Sequence, residues 1–354
     1  MSHLHSRTFG TPTPHARLKR TRQCTDKPAV IRPLLKWAGG KRQLLPLLRE
    51  LYPAGFDRYI EPFLGSGAVF FDLQGAGLLD GRRTRLADVN PDLIDCYRVV
   101  RDRPDAVIGA LSALADEHRA RGSACYYDVR DERFNPRRLA RAESNGTPAG
   151  DGWTPDLAAM LIYLNRTGFN GLFRLNRRGE FNVPAGRYVN PRICEPDHLR
   201  HVAGAFGAAG VTLEHGGFDD LLADAGAGDF VYCDPPYAPL SRTASFARYT
   251  STGFTPHDHA RLQRAVTAAA SRGAIVVLSN SSAPEIVASY ASAAPRKAGL
   301  RVRRVPARRA INSRASARGP VDELIITNSP GLRRLDTLQP AMLRASLQRR
   351  RRTA

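Results

Sequence analysis

The sequence predicts an α/β fold: a doubly wound, mostly parallel sheet that carries an inserted helical segment and a β-hairpin. Short apolar strands alternate with amphipathic helices in both outer parts of the chain, which is typical of a parallel sheet covered by helices on both faces. This alternation stops between residues 91 and 196, where helical patterns take over. A glycine loop and two carboxylates directly follow predicted strands, at the positions where α/β sheets bind ligands.

The hydrophobic periodicity defines the individual elements. Predicted strands cover residues 59–63, 84–87, 229–233, 274–279 and 324–327. Predicted helices cover residues 68–73, 92–100, 106–119, 158–165 and 257–271. The resulting division is a flexible basic arm (1–30), a main domain in two parts (31–91 and 201–330), an inserted domain with a hairpin (92–200) and a basic tail (331–354).

The charge balance favours a polyanionic partner. The chain has 53 Lys and Arg residues against 33 Asp and Glu, a net charge of +20. Contact with phosphates would release condensed counterions and drive binding. A basic surface without a partner is the alternative, whereas a membrane surface is disfavoured because the charge is spread along the chain.

Cysteine usage indicates a reducing compartment. The five cysteines are scattered and form no C-x-x-C pair, which disfavours both a disulfide framework and a zinc site. No stretch has the roughly 18 apolar residues of a transmembrane helix. We therefore expect a cytoplasmic protein without a metal ion and without a membrane anchor.

Glycines and an acid predict a cofactor site. Gly65 and Gly67 lie where a strand passes into a helix, so the backbone can approach a ligand closely. Asp88, at the end of the next strand, follows at the spacing of about 20 residues typical of a carboxylate that binds ribose hydroxyls. Phe70 occupies the position of the third glycine of a dinucleotide loop. A nucleoside cofactor without phosphates, such as S-adenosylmethionine, fits better.

The segment before the first strand contributes two further candidates. Two glycines flanked by Lys36 and Lys41 invite comparison with a phosphate-binding loop, but Arg42 stands where that motif needs Ser or Thr. We interpret Trp37 as an apolar wall of the cofactor site and Lys41 as the partner of a carboxylate.

The run Asp234-Pro235-Pro236-Tyr237 follows a predicted strand and combines the groups that hold a planar amino group. Asp234 and the Pro235 carbonyl can accept its two hydrogens, and Tyr237 can stack on its ring. The two prolines, including Pro236, restrict the backbone and preorganise these acceptors. A simple proline turn after a buried strand is the alternative.

Several motifs occur in one order: Lys36-Trp37-Ala38-Gly39-Gly40-Lys41, Glu61-Pro62-Phe63-Leu64-Gly65-Ser66-Gly67, Ala87-Asp88-Val89-Asn90 and Tyr232-Cys233-Asp234-Pro235-Pro236-Tyr237. With residues 164–172, 179–184 and 321–324, this order resembles the Dam family of DNA adenine-N6 methyltransferases (D12 class, alpha group). The resemblance covers about residues 34–330. It implies a class I Rossmann-like methyltransferase fold, S-adenosylmethionine as cofactor, and double-stranded DNA as the partner of a monomeric bacterial or phage enzyme.

The resemblance also assigns site residues. The implied catalytic residues are Asp234, Pro235, Pro236 and Tyr237, and the implied cofactor-binding residues are Trp37, Lys41, Gly65, Gly67, Asp88 and Asp234. The implied DNA contacts are Lys36, Phe169, Asn170, Leu172, Arg174, Pro184, Arg187 and Tyr188, with GATC as the recognition sequence. Phe169 replaces the usual tyrosine and keeps a stacking face that could brace the gap left by a flipped adenine.

The residues themselves also indicate a DNA-reading hairpin. Six arginines and interleaved aromatic residues lie within residues 166–192, with Glu180 as the one acid. Gly179 would close a turn between two short strands, and a two-stranded ribbon fits the major groove, where arginine grips guanine bidentately. Arg177 and Arg178 fit phosphate contacts better.

A second basic block, residues 301–318, contains seven arginines and no acid. We expect it to follow the phosphate backbone, and a solvated loop is the alternative. Two other functions stay open. The same tetrapeptide could serve an RNA or protein-amide methyltransferase, or the chain could be a DNA-binding regulator without catalysis.

Overall fold

The computed structural model describes residues 31–143, 153–239, 254–308 and 320–333. One sheet contains β1 (Arg58–Glu61), β2 (Arg83–Asp88), β3 (Val211–His215), β4 (Asp229–Cys233), β5 (Ile275–Ser281), β6 (Arg301–Arg308) and β7 (Pro320–Thr327). The order across it is β3-β2-β1-β4-β5-β7-β6. Strands β1 to β5 pair in parallel, and β7 runs antiparallel to both neighbours. The predicted doubly wound, mostly parallel sheet is confirmed.

Twelve α-helices lie in the described residues. They are α1 (Leu45–Leu48), α2 (Ala68–Gly75), α3 (Pro91–Asp102), α4 (Pro104–Arg121), α5 (Ser123–Tyr127), α6 (Asn135–Glu143), α7 (Pro155–Thr167), α8 (Pro196–Phe206), α9 (Phe218–Leu222), α10 (Pro256–Ser271), α11 (Pro284–Ala291) and α12 (Ala293–Lys297). Five of them, α2, α3, α4, α7 and α10, correspond to the predicted helices. A π-helix, Asp128–Phe134, joins α5 to α6. Three 3₁₀ turns cover Lys41–Gln43, Arg49–Leu51 and Phe169–Gly171.

Strand β4 lies at the centre of the sheet and is buried along its whole length. Successive strand side chains point to opposite faces, so Phe230 and Tyr232 pack into one hydrophobic cluster and Val231 and Cys233 into another. Both faces of the sheet are therefore covered. A rigid, doubly packed strand ends immediately before Asp234.

Two strands escaped prediction, and both lie at edges of the sheet. In β3 only Leu213 is buried, so its apolar signal is weak. Strand β6 is rich in arginine, which is one way in which proteins protect an exposed strand edge. The alternative of a solvated loop is therefore wrong for residues 301–308, whereas residues 309–319 lie outside the described residues.

The helical segment between β2 and β3 contains the predicted hairpin, residues 173–183, between α7 and α8; we call it the reading hairpin. Leu175 and Phe181 form its antiparallel bridge, and a second bridge joins Gly168 to Ala185. Gly179 closes the turn at φ +77°, a conformation that favours glycine. The predicted ribbon is thus short: single bridges replace a continuous ladder. The basic arm and residues 334–354 of the tail lie outside the described residues.

Candidate active site

The glycine loop, residues 64–67, connects β1 to α2. Gly65 and Gly67 have φ values of +47° and +68°, which other residues rarely adopt. The Gly65 amide donates to Asp88 Oδ2 over 2.9 Å, and the Tyr97 hydroxyl donates to the Gly65 carbonyl over 2.8 Å. A Cβ at Gly65 would lie 3.0 Å from Trp37 Cδ1. The indole therefore covers the loop closely.

Asp88 ends β2 beside this loop, because β1 and β2 are parallel neighbours. Its Oδ1 accepts from the Asn90 amide over 2.9 Å. Burial raises the pKa of Asp88, and the backbone donors of Gly65 and Asn90 oppose that rise. An ionised carboxylate has about four acceptor positions, so capacity remains for ligand hydroxyls.

Asp234 follows β4 and is held through one oxygen. Its Oδ1 lies 2.7 Å from Lys41 Nζ and 3.0 Å from Ser279 Oγ. The Lys41 side chain is only 5% exposed, so the ion pair is partly desolvated. Burial raises the pKa of Asp234, and the Lys41 ammonium opposes this. As far as the described contacts go, Oδ2 remains available to a substrate.

Tyr237 is fixed at both ends of its side chain. The Lys41 ammonium lies 4.7 Å from the ring centroid, within the range of a cation–π interaction. The phenol donates to Glu323 Oε2 on β7 over 2.7 Å. The following residue is held as well, since the Ala238 amide donates to Asn280 Oδ1 over 3.2 Å. Strands β5 and β7 thus position the loop that follows β4.

Glu61, at the end of β1, is a buried acid in the same region. It is 2% exposed, and the Tyr59 hydroxyl donates to its Oε2 over 2.7 Å. Burial raises the pKa of Glu61 to about 8, whereas the Tyr59 hydrogen bond and the Phe70 amide lower it. The carboxyl group is therefore protonated in the folded protein at neutral pH.

This pKa predicts a pH-dependent stability. The unfolded chain releases the Glu61 proton near its ordinary value and the folded protein retains it to about 8, so stability falls between these values by up to about 1.4 kcal/mol per pH unit. Glu61→Gln should remove this slope. Denaturant unfolding from pH 4 to 9 measures this. The free energy of unfolding of the variant should rise relative to that of the wild type up to about pH 8, and the difference should then stay constant. In Tyr59→Phe the end of the slope should move to higher pH.

The predicted DNA contacts begin beside the indole. Asn165, on α7, accepts from the Lys36 amide and donates to the Lys36 carbonyl, both over 2.8 Å, and also donates to the Gly171 carbonyl over 2.9 Å. Lys36 Nζ lies 3.4 Å from the Tyr188 hydroxyl. The Trp37 ring stacks on Phe173 with centroids 5.6 Å apart. The buried amide of Asn165 therefore joins residues 36–37, beside the glycine loop, to Gly171 in the segment that carries most of the predicted DNA contacts.

Most of the predicted DNA contacts lie on one exposed segment. Phe169 is 48% exposed, and its amide donates to the Pro184 carbonyl over 2.9 Å. Asn170 has φ +54°, which turns the chain sharply after Phe169. The exposed residues are Phe169, Asn170, Arg174, Pro184, Arg187 and Tyr188, whereas Leu172 is half-buried against the core.

The arginines of this segment divide into two kinds. Arg174 is exposed, and its Nε donates to Asn182 Oδ1 across the hairpin over 2.8 Å, which braces the guanidinium. Arg166 is instead turned inward: its side chain is 12% exposed and pairs with Glu195 at 2.7 Å. Arg166 is therefore not part of the exposed basic surface that its sequence position suggests.

Three positioning residues escaped the sequence reasoning: Asn165, Ser279 and Glu323. Ser279 and Glu323 lie within or beside predicted strands, but nothing in the local pattern links them to Asp234 or Tyr237. Within the described residues, His, Cys, Asp and Glu form no group of three or more suited to a metal ion. No helix in the described part of the chain is long and apolar enough to cross a membrane.

The site fits a nucleoside cofactor without phosphates. The indole of Trp37 borders the glycine loop, Asp88 retains acceptor capacity at the end of β2, and Lys41 offers a cation. A mostly parallel sheet of this order, with these groups at its carboxyl edge and an Asp-Pro-Pro-Tyr loop after β4, defines an S-adenosylmethionine-dependent methyltransferase.

Comparison with known proteins identifies the family. Residues 37–303 match the model of the D12 class N6 adenine-specific DNA methyltransferases, and the chain belongs to this family. It is 35% identical over 298 residues to the type II methyltransferase M1.LlaDCHI of Lactococcus lactis subsp. cremoris, covering 84% of this chain and 95% of the relative.

Two further relatives match this chain over nearly their whole length. The type II methyltransferase M.MjaIII of Methanocaldococcus jannaschii is 36% identical over 308 residues, which cover 84% of this chain and 99% of the relative. The DNA adenine methylase of Escherichia coli K12 is 37% identical over 301 residues, which cover 85% and 96%. The chain is thus an adenine-N6 DNA methyltransferase with S-adenosylmethionine as methyl donor.

Proposed function

We propose that this chain, acting as a monomer, methylates N6 of an adenine flipped out of double-stranded DNA within GATC. The observation that carries the proposal is the environment of Asp234. The carboxylate directly follows β4, which is buried on both faces. Lys41 and Ser279 both contact its Oδ1. The other oxygen is free to accept from a base amino group, as far as the described residues go.

The chemistry follows from the weakness of adenine N6 as a nucleophile, since its lone pair is delocalised into the ring. Asp234 and the Pro235 carbonyl accept the two N6 hydrogens and stabilise the positive charge that develops on nitrogen. Pro236 keeps the backbone rigid, and Tyr237, held by Lys41 and Glu323, stacks on the base. S-adenosylmethionine supplies an electrophilic methyl group when bound.

The cofactor would lie against the glycine loop. Gly65 and Gly67 allow the close approach, Trp37 forms an apolar wall and Asp88 accepts from the ribose hydroxyls. Lys41 and Asp234 already form an ion pair, and its two charges complement the carboxylate and ammonium of an amino acid moiety.

Removal of the Asp88 carboxylate is expected to weaken cofactor binding. Hydrogen bonds to a charged group contribute about 1.5–3 kcal/mol, so Asp88→Ala should raise the Kd for S-adenosylmethionine about 10- to 100-fold. Titration calorimetry measures this directly. Asp102→Ala, an exposed acid at the end of α3, is the matched control and should bind as the wild type does. Equal affinities for both variants would contradict the ribose assignment.

We place DNA recognition in the inserted domain, residues 92–200, and catalysis in the two flanking parts. The exposed segment that carries Phe169, Arg174 and Arg187 supports this division, because these side chains face solvent and Tyr188 of the same segment lies 3.4 Å from Lys36 Nζ. Phe169 would brace the gap left by the flipped base. Asn170, Leu172, Pro184 and Tyr188 would contact the remaining site.

A digestion assay tests the recognition sequence. Unmethylated plasmid is incubated with the protein and S-adenosylmethionine and then cut with GATC nucleases that are either blocked by or dependent on adenine methylation. We expect protection from the first and cleavage by the second. Methylation elsewhere would overturn GATC. RNA that competes better than duplex DNA for the methyl group would favour the RNA methyltransferase instead.

A further inference from the structure

Asn135, the first residue of α6, pairs with the reading hairpin as a neighbouring strand would. Its Nδ2 donates to the Phe181 carbonyl over 3.0 Å, and its Oδ1 accepts from the Phe181 amide over 2.8 Å. Asn135 is 7% exposed and Phe181 is 1% exposed. A buried backbone group that loses its partner costs about 1–3 kcal/mol, so this amide pair holds Phe181 firmly in place.

One turn further along α6, Arg138 holds the hairpin turn. Its Nη1 donates to the Gly179 carbonyl, and its Nε donates to Asp92 Oδ2 over 2.7 Å. The two side chains are 11% and 5% exposed, so solvent screens the pair poorly. Asp92 belongs to the first turn of α3, and its amide donates to the capping residue Asn90. The hairpin turn is thus attached, through Arg138, to α3, the helix that follows Asp88.

The reading hairpin needs such support. Its own pairing includes the single bridge between Leu175 and Phe181, and an isolated two-stranded hairpin is marginal in water. A slip of one residue would turn every side chain to the opposite face. Arg174 precedes Leu175, so its direction depends on this register.

We propose that Asn135 and Arg138 are positioning residues that set base discrimination by fixing the register of the reading hairpin. This inference rests on the proposed function. Neither side chain needs to touch DNA, because each acts on the backbone that carries Arg174. Discrimination requires a binding group to be held within about 0.5 Å, and two of the groups that hold this backbone come from α6.

The test compares two hairpin variants with one control. Arg138→Lys keeps the charge opposite Asp92 but lacks the planar fork that joins a carboxylate to a carbonyl. Asn135→Leu keeps the branched shape of the side chain and removes both hydrogen bonds to Phe181. The control is Arg141→Lys: Arg141 also joins α6 to α3, through Asp95, and its guanidinium lies over the ring of Trp153, which is outside the hairpin.

The readout is the ratio of kcat/KM on the cognate duplex to kcat/KM on a duplex with the first guanine replaced. We expect the ratio to fall about tenfold in Arg138→Lys and in Asn135→Leu, and to remain at the wild-type value in Arg141→Lys. The affinity for S-adenosylmethionine should not change. A merely structural role would lower Tm in all three variants and leave the ratio intact.

An unchanged ratio in folded hairpin variants overturns the inference. If either variant fails to fold, Asp92→Asn weakens the Arg138 support without touching the hairpin, and its ratio decides in the same way. A wild-type protein that methylates no duplex would instead refute the proposed function, so the two failures can be told apart.

Discussion

Replacement of Asp234 by alanine is expected to lower the single-turnover rate of methyl transfer by a factor on the order of 10³ or more. Removal of one preorganised group that stabilises developing charge costs about 10²–10³ in rate, and Asp234 also anchors Lys41 at 2.7 Å. DNA binding should be largely spared, because the predicted DNA contacts lie on other segments. The measurement is a rapid-quench assay with labelled S-adenosylmethionine at saturating concentration, with DNA affinity measured in parallel.

Ser279→Ala is the matched control for this loss. It removes one of the two contacts to Asp234 Oδ1 and leaves the carboxylate and the Lys41 pair in place. We expect a loss of about tenfold, the worth of one ordinary hydrogen bond. Turnover of Asp234→Ala close to that of the wild type would refute the catalytic assignment.

Replacement of Arg174 by alanine is expected to relax discrimination at the first guanine by about 10- to 100-fold. A bidentate contact to guanine contributes about 1–3 kcal/mol of selectivity, and Asn182 braces the exposed guanidinium at 2.8 Å. The rate on a duplex altered at the first guanine should therefore approach the rate on the cognate duplex. Duplexes altered at the other positions should remain poor substrates. Competition between these duplexes in one reaction measures the ratio directly.

Arg177→Ala separates base reading from phosphate contact. Arg177 lies in the exposed turn of the same hairpin, and we expect it to contact phosphate. Its removal should weaken binding to all duplexes alike and reduce the slope of log K against log salt by about 1. Equal losses on cognate and altered duplexes in Arg174→Ala would show that Arg174 also contacts only phosphate.

The central sheet could be predicted because each of its inner strands is a short, continuous and strongly apolar run in the sequence. Strand β4 has the predicted bounds, Asp229–Cys233. The carboxylates Asp88 and Asp234 were placed at strand ends by sequence alone, and parallel pairing then brings those ends to one edge of the sheet. The roles of these residues remain proposals. The edge strands β3 and β6 were missed because an edge strand buries few side chains.

The supporting residues could not be predicted, since they act across long separations in sequence. Ser279 and Asp234 lie 45 residues apart, and Glu323 and Tyr237 lie 86 apart. Arg166 shows the opposite failure, because a basic run in the sequence concealed an inward ion pair with Glu195. Local composition does not reveal which side chains a tertiary fold turns inward.

One measurement tests the central claim most directly. Unmethylated duplex DNA is incubated with labelled S-adenosylmethionine and either the wild-type protein or Asp234→Ala, and the nucleosides are then separated by mass. We predict labelled N6-methyldeoxyadenosine with the wild type and none above background with the variant. Label in another nucleoside, or equal label with both proteins, would contradict an adenine-N6 methyltransferase that works through Asp234.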